Sequence, residues 1–169
     1  FTLALTLPTV TADWLQAYAR GLNLMAQSCG VALVGGDTTR GPLSLTMTVF
    51  GRVPAGKALT RSGAQPGDLL CVGGELGSAA GALPLVLGQR TAEAAIADPL
   101  LAHYWSPQPQ LGLGMALRGK ATSALDISDG LLADCGHIAL ASKVGIQVER
   151  DTLPLSNALV AFLGQSGAE

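Results

Sequence analysis

The stretch that most constrains this chain is an apolar run leading into two glycines and a carboxylate. Residues 31–34 are Val-Ala-Leu-Val, which predicts a short buried strand, and Gly35, Gly36 and Asp37 follow directly. Glycines allow backbone N–H groups to approach an anion, a carboxylate suits Mg²⁺, and the guanidinium of Arg40 can bind phosphate oxygens. The stretch therefore predicts a metal–phosphate site at a strand end. The alternative is a tight turn in which Asp37 hydrogen-bonds its own backbone.

A second stretch far along the chain has the same design. Residues 121–127 predict a strand, and it ends in Asp126, Ser128 and Asp129, one of the last two capping a helix over residues 130–143. Only 13% of the chain is charged, so two such acidic clusters are hard to explain as unrelated turns. We expect both clusters to serve one metal-bound nucleotide.

Composition excludes some functions and bounds the size of the fold. The chain has 169 residues, of which 49% are hydrophobic, enough for one domain or parts of two. A net charge of −2 with scattered Lys and Arg argues against a surface for nucleic acid or membrane. Cys29, Cys71 and Cys135 lie far apart in apolar settings, which predicts buried free thiols in a reducing compartment, the cytoplasm. No apolar run approaches the roughly 18 residues of a membrane span.

Alternating strand and helix patterns predict an α/β or α+β fold. Pro54-Ala55-Gly56 ends the first domain, residues 1–56, and a Gly/Pro-rich junction over residues 57–68 precedes a second domain, residues 69–169. The first domain should contain a helix from Ala12 to Cys29 between strands at residues 1–7, 31–34 and 43–53. In the second domain we predict strands at residues 69–72, 121–127 and 146–149.

The helices of the second domain carry prolines. Pro84 should kink or shift a helix of small residues, and Asp98-Pro99 should interrupt a helix that begins near Thr91. A short helix is predicted over residues 111–118. His103 and His137 neighbour no candidate nucleophile, so we expect structural roles for both. Because the chain begins on Phe1 inside a predicted strand, we interpret it as an internal piece of a longer protein.

Three motifs carry a resemblance to a known family. The chain reads GGDTTRGP over residues 35–42, LTRSG over 59–63 and DISDGL over 126–131. In this combination the motifs resemble thiamine-monophosphate kinase, of the aminoimidazole ribonucleotide synthetase-like superfamily of ATP-dependent enzymes. The resemblance covers nearly the whole chain and implies two α/β domains, the first of them incomplete.

The resemblance also implies an activity. Family members transfer the γ-phosphoryl group of ATP to thiamine monophosphate with Mg²⁺, giving thiamine diphosphate, usually as a homodimer. The residues implied in ATP binding are Gly36, Asp37, Arg61 and Ser128. Those implied as Mg²⁺ ligands are Asp37, Asp126 and Asp129.

Two departures from the family pattern bear on that activity. An Asp that family members carry just before the Ser78 position is absent, and the loop over residues 106–110 is Ser-Pro-Gln-Pro-Gln, without the family's two arginines. Further family acids fall outside this chain. We therefore expect the isolated chain to be inactive or nearly so, although its parent is a kinase.

Two other functions stay open at this point. One is another enzyme of the superfamily, such as a selenophosphate synthetase, an aminoimidazole ribonucleotide synthetase or the hydrogenase-maturation dehydratase. The other is a non-catalytic module that binds a nucleotide or forms a dimer.

Overall fold

The chain divides into two compact units, Phe1–Ala55 and the part from Gly56 onward. The structure, a computed structural model, describes residues 1–164. Helices and strands occur together, in agreement with the predicted α+β class. Among residues 1–164, no helix combines the length and hydrophobicity needed to cross a membrane.

The first unit is a three-stranded sheet with one helix. Its elements are β1 (Thr2–Leu7), α1 (Ala12–Cys29), β2 (Gly35–Arg40) and β3 (Ser44–Thr48). The strand order is β2-β1-β3; β1 runs parallel to β2 and antiparallel to β3. The central position of β1 gives both flanking strands their pairing partner.

Helix α1 has the bounds that the sequence predicts, because both of its ends carry strong signals. The Thr11 hydroxyl accepts a hydrogen bond from the Trp14 N–H at 3.4 Å, and Gly30 ends the helix in the left-handed conformation with φ of 63°. Its apolar face packs on alternate residues of β1. This contact joins Leu15, Tyr18 and Leu22 of the helix to Leu3, Leu5 and Leu7 of the strand.

The second strand lies later in the sequence than predicted. Residues 31–34 are not a strand, although the Val34 N–H donates to the Phe1 carbonyl at 2.9 Å; the strand is Gly35–Arg40 itself. Strand pairing sets the position of β2, because Thr2–Leu7 of β1 pair with residues 35–40. The prediction that Gly35-Gly36-Asp37 forms a turn at a strand end is therefore wrong.

Gly36 allows β2 to lie close to β1. Its φ is 146°, and a Cβ at this position would collide with the carbonyl of Leu3, the residue opposite in the parallel pair. Because the obstacle is backbone, no side-chain rotation can relieve it.

Strand β3 is shorter than the predicted span of residues 43–53. Its alternation places Leu45 and Met47 on the same side as the buried leucines of β1, yet they are 43% and 56% exposed. The apolar face of α1 packs on the leucines of β1, and no buried core residue comes from β3.

The second unit is helical over the residues that the structure describes. Its helices are α2 (Ser78–Val86), α3 (Ala94–Trp105), α4 (Leu111–Leu117), α5 (Leu131–Ser142) and α6 (Asn157–Gly164). The core joins α2, α3 and α6 through Ala82, Leu100, Leu159 and Phe162. Arg90 lies 4.0 Å from the centre of the Phe162 ring and donates to the Phe162 carbonyl at 3.2 Å, which ties α6 to the residues after α2.

The three strands predicted for this unit are wrong. Residues 69–72, 121–127 and 146–149 form no strand, and the described part of the unit has a single isolated bridge, between Leu76 and Leu155. A strand requires a ladder of hydrogen bonds to a partner strand, and among residues 56–164 none of these segments forms one. Leu69 is accordingly 88% exposed.

The predicted interruption of a helix at Asp98-Pro99 is also wrong, because Pro99 lies within an uninterrupted α3. Pro84 lies within the last turn of α2, which ends at Val86. Each proline removes one backbone hydrogen bond, and burial of Ala82 and Leu100 at 0% exposure supplies packing that keeps both helices intact. The short helix predicted near residues 111–118 is confirmed.

Replacing Gly36 by Ala should destabilise the first unit, because the new Cβ meets the Leu3 backbone. We expect a loss of about 1–3 kcal/mol in the free energy of unfolding, measured by urea denaturation. Gly35→Ala is the control, since nothing lies within 4 Å of a Cβ there. Equal losses in the two variants would contradict the close-approach explanation.

Candidate functional site

Asp37 lies on an exposed polar face of the sheet in the first unit. It pairs with Ala4 of β1, which in turn pairs with Thr46 of β3, so these three side chains share the face opposite the leucines that contact α1. Threonine side chains share this face with the carboxylate, and one cross-strand pair, Thr6 with Thr39, is joined at 3.0 Å. The face thus offers oxygen atoms, the donors that Mg²⁺ prefers.

One oxygen of Asp37 is used locally. The Thr38 N–H donates to Asp37 Oδ1 at 2.8 Å, so Oδ2 is the atom left for a ligand. Arg40 follows Asp37 by three positions in the same strand and therefore points to the opposite face. The single turn assumed for the predicted metal–phosphate site does not form, because residues 35–40 are a strand.

Arg61, in the second unit, lies in a segment held by backbone hydrogen bonds. The Ala124 N–H donates to the Thr60 carbonyl at 3.0 Å, and the Ser142 hydroxyl donates to the Arg61 carbonyl at 3.1 Å. The guanidinium of Arg61 is exposed. Arg61 and Asp126 therefore lie on neighbouring, hydrogen-bonded segments of one unit.

Hydrogen bonds to Asp68 also hold the segment that follows Arg61. The Thr122 hydroxyl donates to Asp68 Oδ2 at 2.6 Å, and the Gln65 N–H donates to the same atom at 2.9 Å. Both bonds lower the pKa of the Asp68 carboxyl below its ordinary value of 3.8, and the bond from Thr122 has the larger effect. Desolvation raises the pKa by a smaller amount.

The acids of the second cluster lie on an exposed loop before α5. Asp126, Ser128 and Asp129 are exposed, and within residues 1–164 neither aspartate forms an ion pair. Neither Ser128 nor Asp129 caps α5, contrary to the prediction; the N-cap is Gly130, with φ of 119° and no side-chain hydrogen bond. Two exposed carboxylates without a cation partner fit the donor set of Mg²⁺.

Asp134 is the residue at this site that sequence reasoning missed. It is 3% exposed, and its Oδ2 accepts hydrogen bonds from the backbone N–H groups of Ser128, Asp129 and Gly130 at 3.0, 3.2 and 3.1 Å. Because its backbone N–H is occupied, Ser128 can contact a nucleotide only through its hydroxyl or its carbonyl. The signal in the sequence was an acid in the first turn of a helix that directly follows an acidic loop.

His137 joins this cluster. The ligand atoms of Asp129, Asp134 and His137 all lie within 4.8 Å of one another, and His137 is exposed. Asp134 and His137 are three positions apart in α5 and so share a face of the helix. This spacing is visible in the sequence, where His137 was expected to be only structural.

A groove of about 680 Å³ adjoins the same loop. Asp129 and Arg150 contribute its charged groups, and apolar side chains of the first turn of α5 and of Val148 and Leu153 form most of its walls. The acidic loop therefore borders a surface that can hold a partly apolar group.

The cysteines are free, as expected, but only one is buried. Cys135 is 8% exposed, whereas Cys71 is exposed because the strand predicted around it does not form. Burial, and then the negative charge of Asp134, raise the pKa of the Cys135 thiol. Both effects disfavour the thiolate, which is the reactive form of cysteine.

Comparison with known proteins identifies relatives over nearly the whole chain. Residues 1–53 match the family of AIR synthase related proteins, N-terminal domain. The thiamine-monophosphate kinase of Escherichia coli K12 is 46% identical over 159 residues, covering 94% of this chain and 49% of that protein. A crystal structure of thiamine-monophosphate kinase from Stenotrophomonas maltophilia K279a, also 46% identical, matches 98% of this chain and 54% of that one with a TM-score of 0.92.

A structure of AaThiL complexed with AMPPCP and TMP has the same fold, with a TM-score of 0.84 at 24% identity over 99% of this chain. By fold and sequence the chain is thus a member of the AIR synthase related superfamily. Within it, the chain belongs to the thiamine-monophosphate kinase family, which confirms the resemblance. The chain spans about half the length of the curated relatives that it matches.

The bonds to Asp68 predict a pH dependence. A lowered pKa in the folded state stabilises the fold above the ordinary pKa, and this stabilisation is lost as the pH falls below 3.8 through the lowered value. Thr122→Val removes the hydrogen bond that lowers the pKa of Asp68 most. The free energy of unfolding of this variant should therefore depend less steeply on pH in this acid range. Urea unfolding between about pH 2.5 and 6 tests this, with Thr91→Val as the control because it changes an exposed threonine elsewhere in the unit. Parallel profiles for wild type and Thr122→Val would refute it.

Proposed function

We propose that the protein carrying this chain is an ATP- and Mg²⁺-dependent kinase that converts thiamine monophosphate to thiamine diphosphate. The observation that carries this proposal is the exposed loop before α5, which presents the carboxylates of Asp126 and Asp129 and the hydroxyl of Ser128; hydrogen bonds to Asp134 hold the backbone of Ser128 and Asp129. The 46% identity to named kinases supports the substrate assignment. The complex of AaThiL with AMPPCP, an ATP analogue, and TMP supports the same pair of substrates.

The roles of individual residues follow from their donor atoms. Asp126 and Asp129 bind Mg²⁺ through carboxylate oxygens, and the hydroxyl of Ser128 contacts ATP. Arg61, exposed on the neighbouring segment, provides a guanidinium for the nucleotide phosphates. In the first unit, Oδ2 of Asp37 binds Mg²⁺, and the family resemblance assigns Gly36 to ATP binding.

The reaction is a direct phosphoryl transfer. A phosphate oxygen of thiamine monophosphate forms a bond to the γ-phosphorus of ATP, the bond from that phosphorus to the β,γ-bridging oxygen breaks, and ADP leaves. When bound, Mg²⁺ would neutralise charge on the phosphate oxygens. The protein's own contribution is to place its carboxylates, hydroxyl and guanidinium, since this chemistry requires positioning more than a nucleophilic side chain.

The remaining parts of the proposal rest on the family resemblance. We propose that the enzyme acts in the cytoplasm as a homodimer and binds neither nucleic acid nor membrane. The 169-residue chain alone should be inactive or nearly so, because it spans about half the length of its relatives.

The proposal predicts product formation that depends on Asp126. The protein in its natural full length, supplied with Mg²⁺, ATP and thiamine monophosphate, should form thiamine diphosphate, identified by mass. Asp126→Asn should lower kcat/KM at least about tenfold, because a neutral amide binds Mg²⁺ more weakly than a carboxylate. Asp98→Asn, an exposed acid on α3, is the control and should retain activity.

The same assay includes substrates of other superfamily enzymes. Selenide or formylglycinamidine ribonucleotide as the preferred substrate would favour another superfamily enzyme. No ATP-dependent product from any of them, with Mg²⁺-ATP binding retained, would favour a non-catalytic module.

A further inference from the structure

The carboxylate of Asp134 lies at the convergence of three consecutive backbone N–H groups. A single oxygen, Oδ2, accepts from Ser128, Asp129 and Gly130 at 3.0, 3.2 and 3.1 Å. Successive N–H groups that point at one spot are the usual way in which a backbone binds an anion. Here the chain fills that anion site with its own buried side chain, so these N–H groups are not available to a phosphate.

This contact fixes the conformation of the loop. Gly130 adopts φ of 119°, which allows the chain to turn so that residues 128–130 present their N–H groups inward. The side chains of Ser128 and Asp129 are exposed. Since no side chain caps α5, Asp134 is what attaches the loop to the helix at this end.

The contact also holds negative charge close to Asp129. Carboxylate oxygens of Asp129 and Asp134 lie within 4.8 Å of each other, and no Lys or Arg among residues 1–164 forms an ion pair with either. The three N–H groups offset the charge of Asp134 but leave that of Asp129 exposed. A cation beside Asp129 would thus be stabilised by both carboxylates.

We propose that Asp134 is a positioning residue that sets the backbone of residues 128–130 and thereby orients Asp129 and Ser128 towards Mg²⁺-ATP. The identity of the ligand rests on the proposed function, whereas the effect on the loop does not. Mutation of a residue that orients a metal ligand typically costs about 10–100-fold in metal affinity or activity.

The first measurement follows the loop itself by amide hydrogen exchange in the protein that carries this chain. Asp134→Ala leaves three N–H groups without their acceptor, and Asp134→Asn keeps an oxygen but loses the charge. Exchange of the amides of residues 128–130 should accelerate strongly in the Ala variant and less in the Asn variant, while α3 stays protected in both. Asp98→Asn is the matched control, because it makes the same chemical change at an exposed site. Unchanged exchange of residues 128–130 in Asp134→Ala would overturn the proposal.

The second measurement separates positioning from stability. In the kinase assay at saturating ATP, the Mg²⁺ concentration for half-maximal rate should rise about 10–100-fold in Asp134→Asn. Excess Mg²⁺ should restore much of kcat, and Asp98→Asn should leave the midpoint unchanged. A purely structural role would instead lower kcat and the melting temperature together without moving the Mg²⁺ midpoint, and that result would overturn the proposal.

Failure of the proposed function would look different. If the wild-type protein forms no thiamine diphosphate, the kinase proposal fails. The positioning role is then tested by the affinity for Mn²⁺, measured by electron paramagnetic resonance, instead of by the Mg²⁺ concentration for half-maximal rate. Asp134→Asn should then weaken Mn²⁺ binding by about the same factor. Equal Mn²⁺ affinity in wild type and Asp134→Asn would overturn the positioning role independently of any activity.

Discussion

The parallel contact between β1 and β2 is the constraint on which the first unit depends. The two backbones can approach at Leu3 and Gly36 only because Gly36 has no Cβ. That approach fixes the register, and the register places Asp37 on the polar face of the sheet while the leucines of β1 contact α1. A shift of one residue would turn Asp37 towards the helix and bury an unpaired carboxylate.

Residues 56–164 of the second unit form no sheet, and polar contacts from loops to helices hold their irregular segments instead. Ser142 accepts hydrogen bonds from the Gly63 and Ala64 N–H groups at 3.2 and 3.1 Å. Asp134 binds the loop before α5, and a buried pair, Ser78 with Ser156 at 3.1 Å, links the start of α2 to the residue before α6. Each contact fixes irregular backbone next to a helix, and two of them hold the segments that carry Arg61 and the acidic loop.

The sequence was most informative where local signals agree with tertiary packing. The bounds of α1 could be predicted because Thr11, Gly30 and a helical apolar period all indicate the same helix. The strands could not be predicted in this way. A run such as residues 69–72 becomes a strand only if another segment pairs with it, and pairing is not a local property. Pro99 was misinterpreted for a related reason: burial of Leu100 outweighs the hydrogen bond that Pro99 removes.

Part of the candidate site could be predicted as well. The motifs identified the family and the exposed acids Asp126 and Asp129, whereas their assigned roles and those of Gly36, Asp37, Arg61 and Ser128 stay predictions. Asp134 was missed because a carboxylate inside a helix most often faces solvent, and nothing in the sequence shows that three N–H groups converge on it. Arg40 was grouped with Asp37 because a turn was expected, whereas a strand places residues three positions apart on opposite faces.

The central claim is that the exposed carboxylates of the acidic loop bind the metal of Mg²⁺-ATP. The most direct test is calorimetric titration of the natural full-length protein with Mg²⁺-AMPPCP, comparing wild type with Asp126→Asn and Asp129→Asn. We predict that each substitution weakens binding at least about tenfold, as expected when a metal loses a charged ligand. Wild-type affinity in both variants, with the fold intact, would contradict the account.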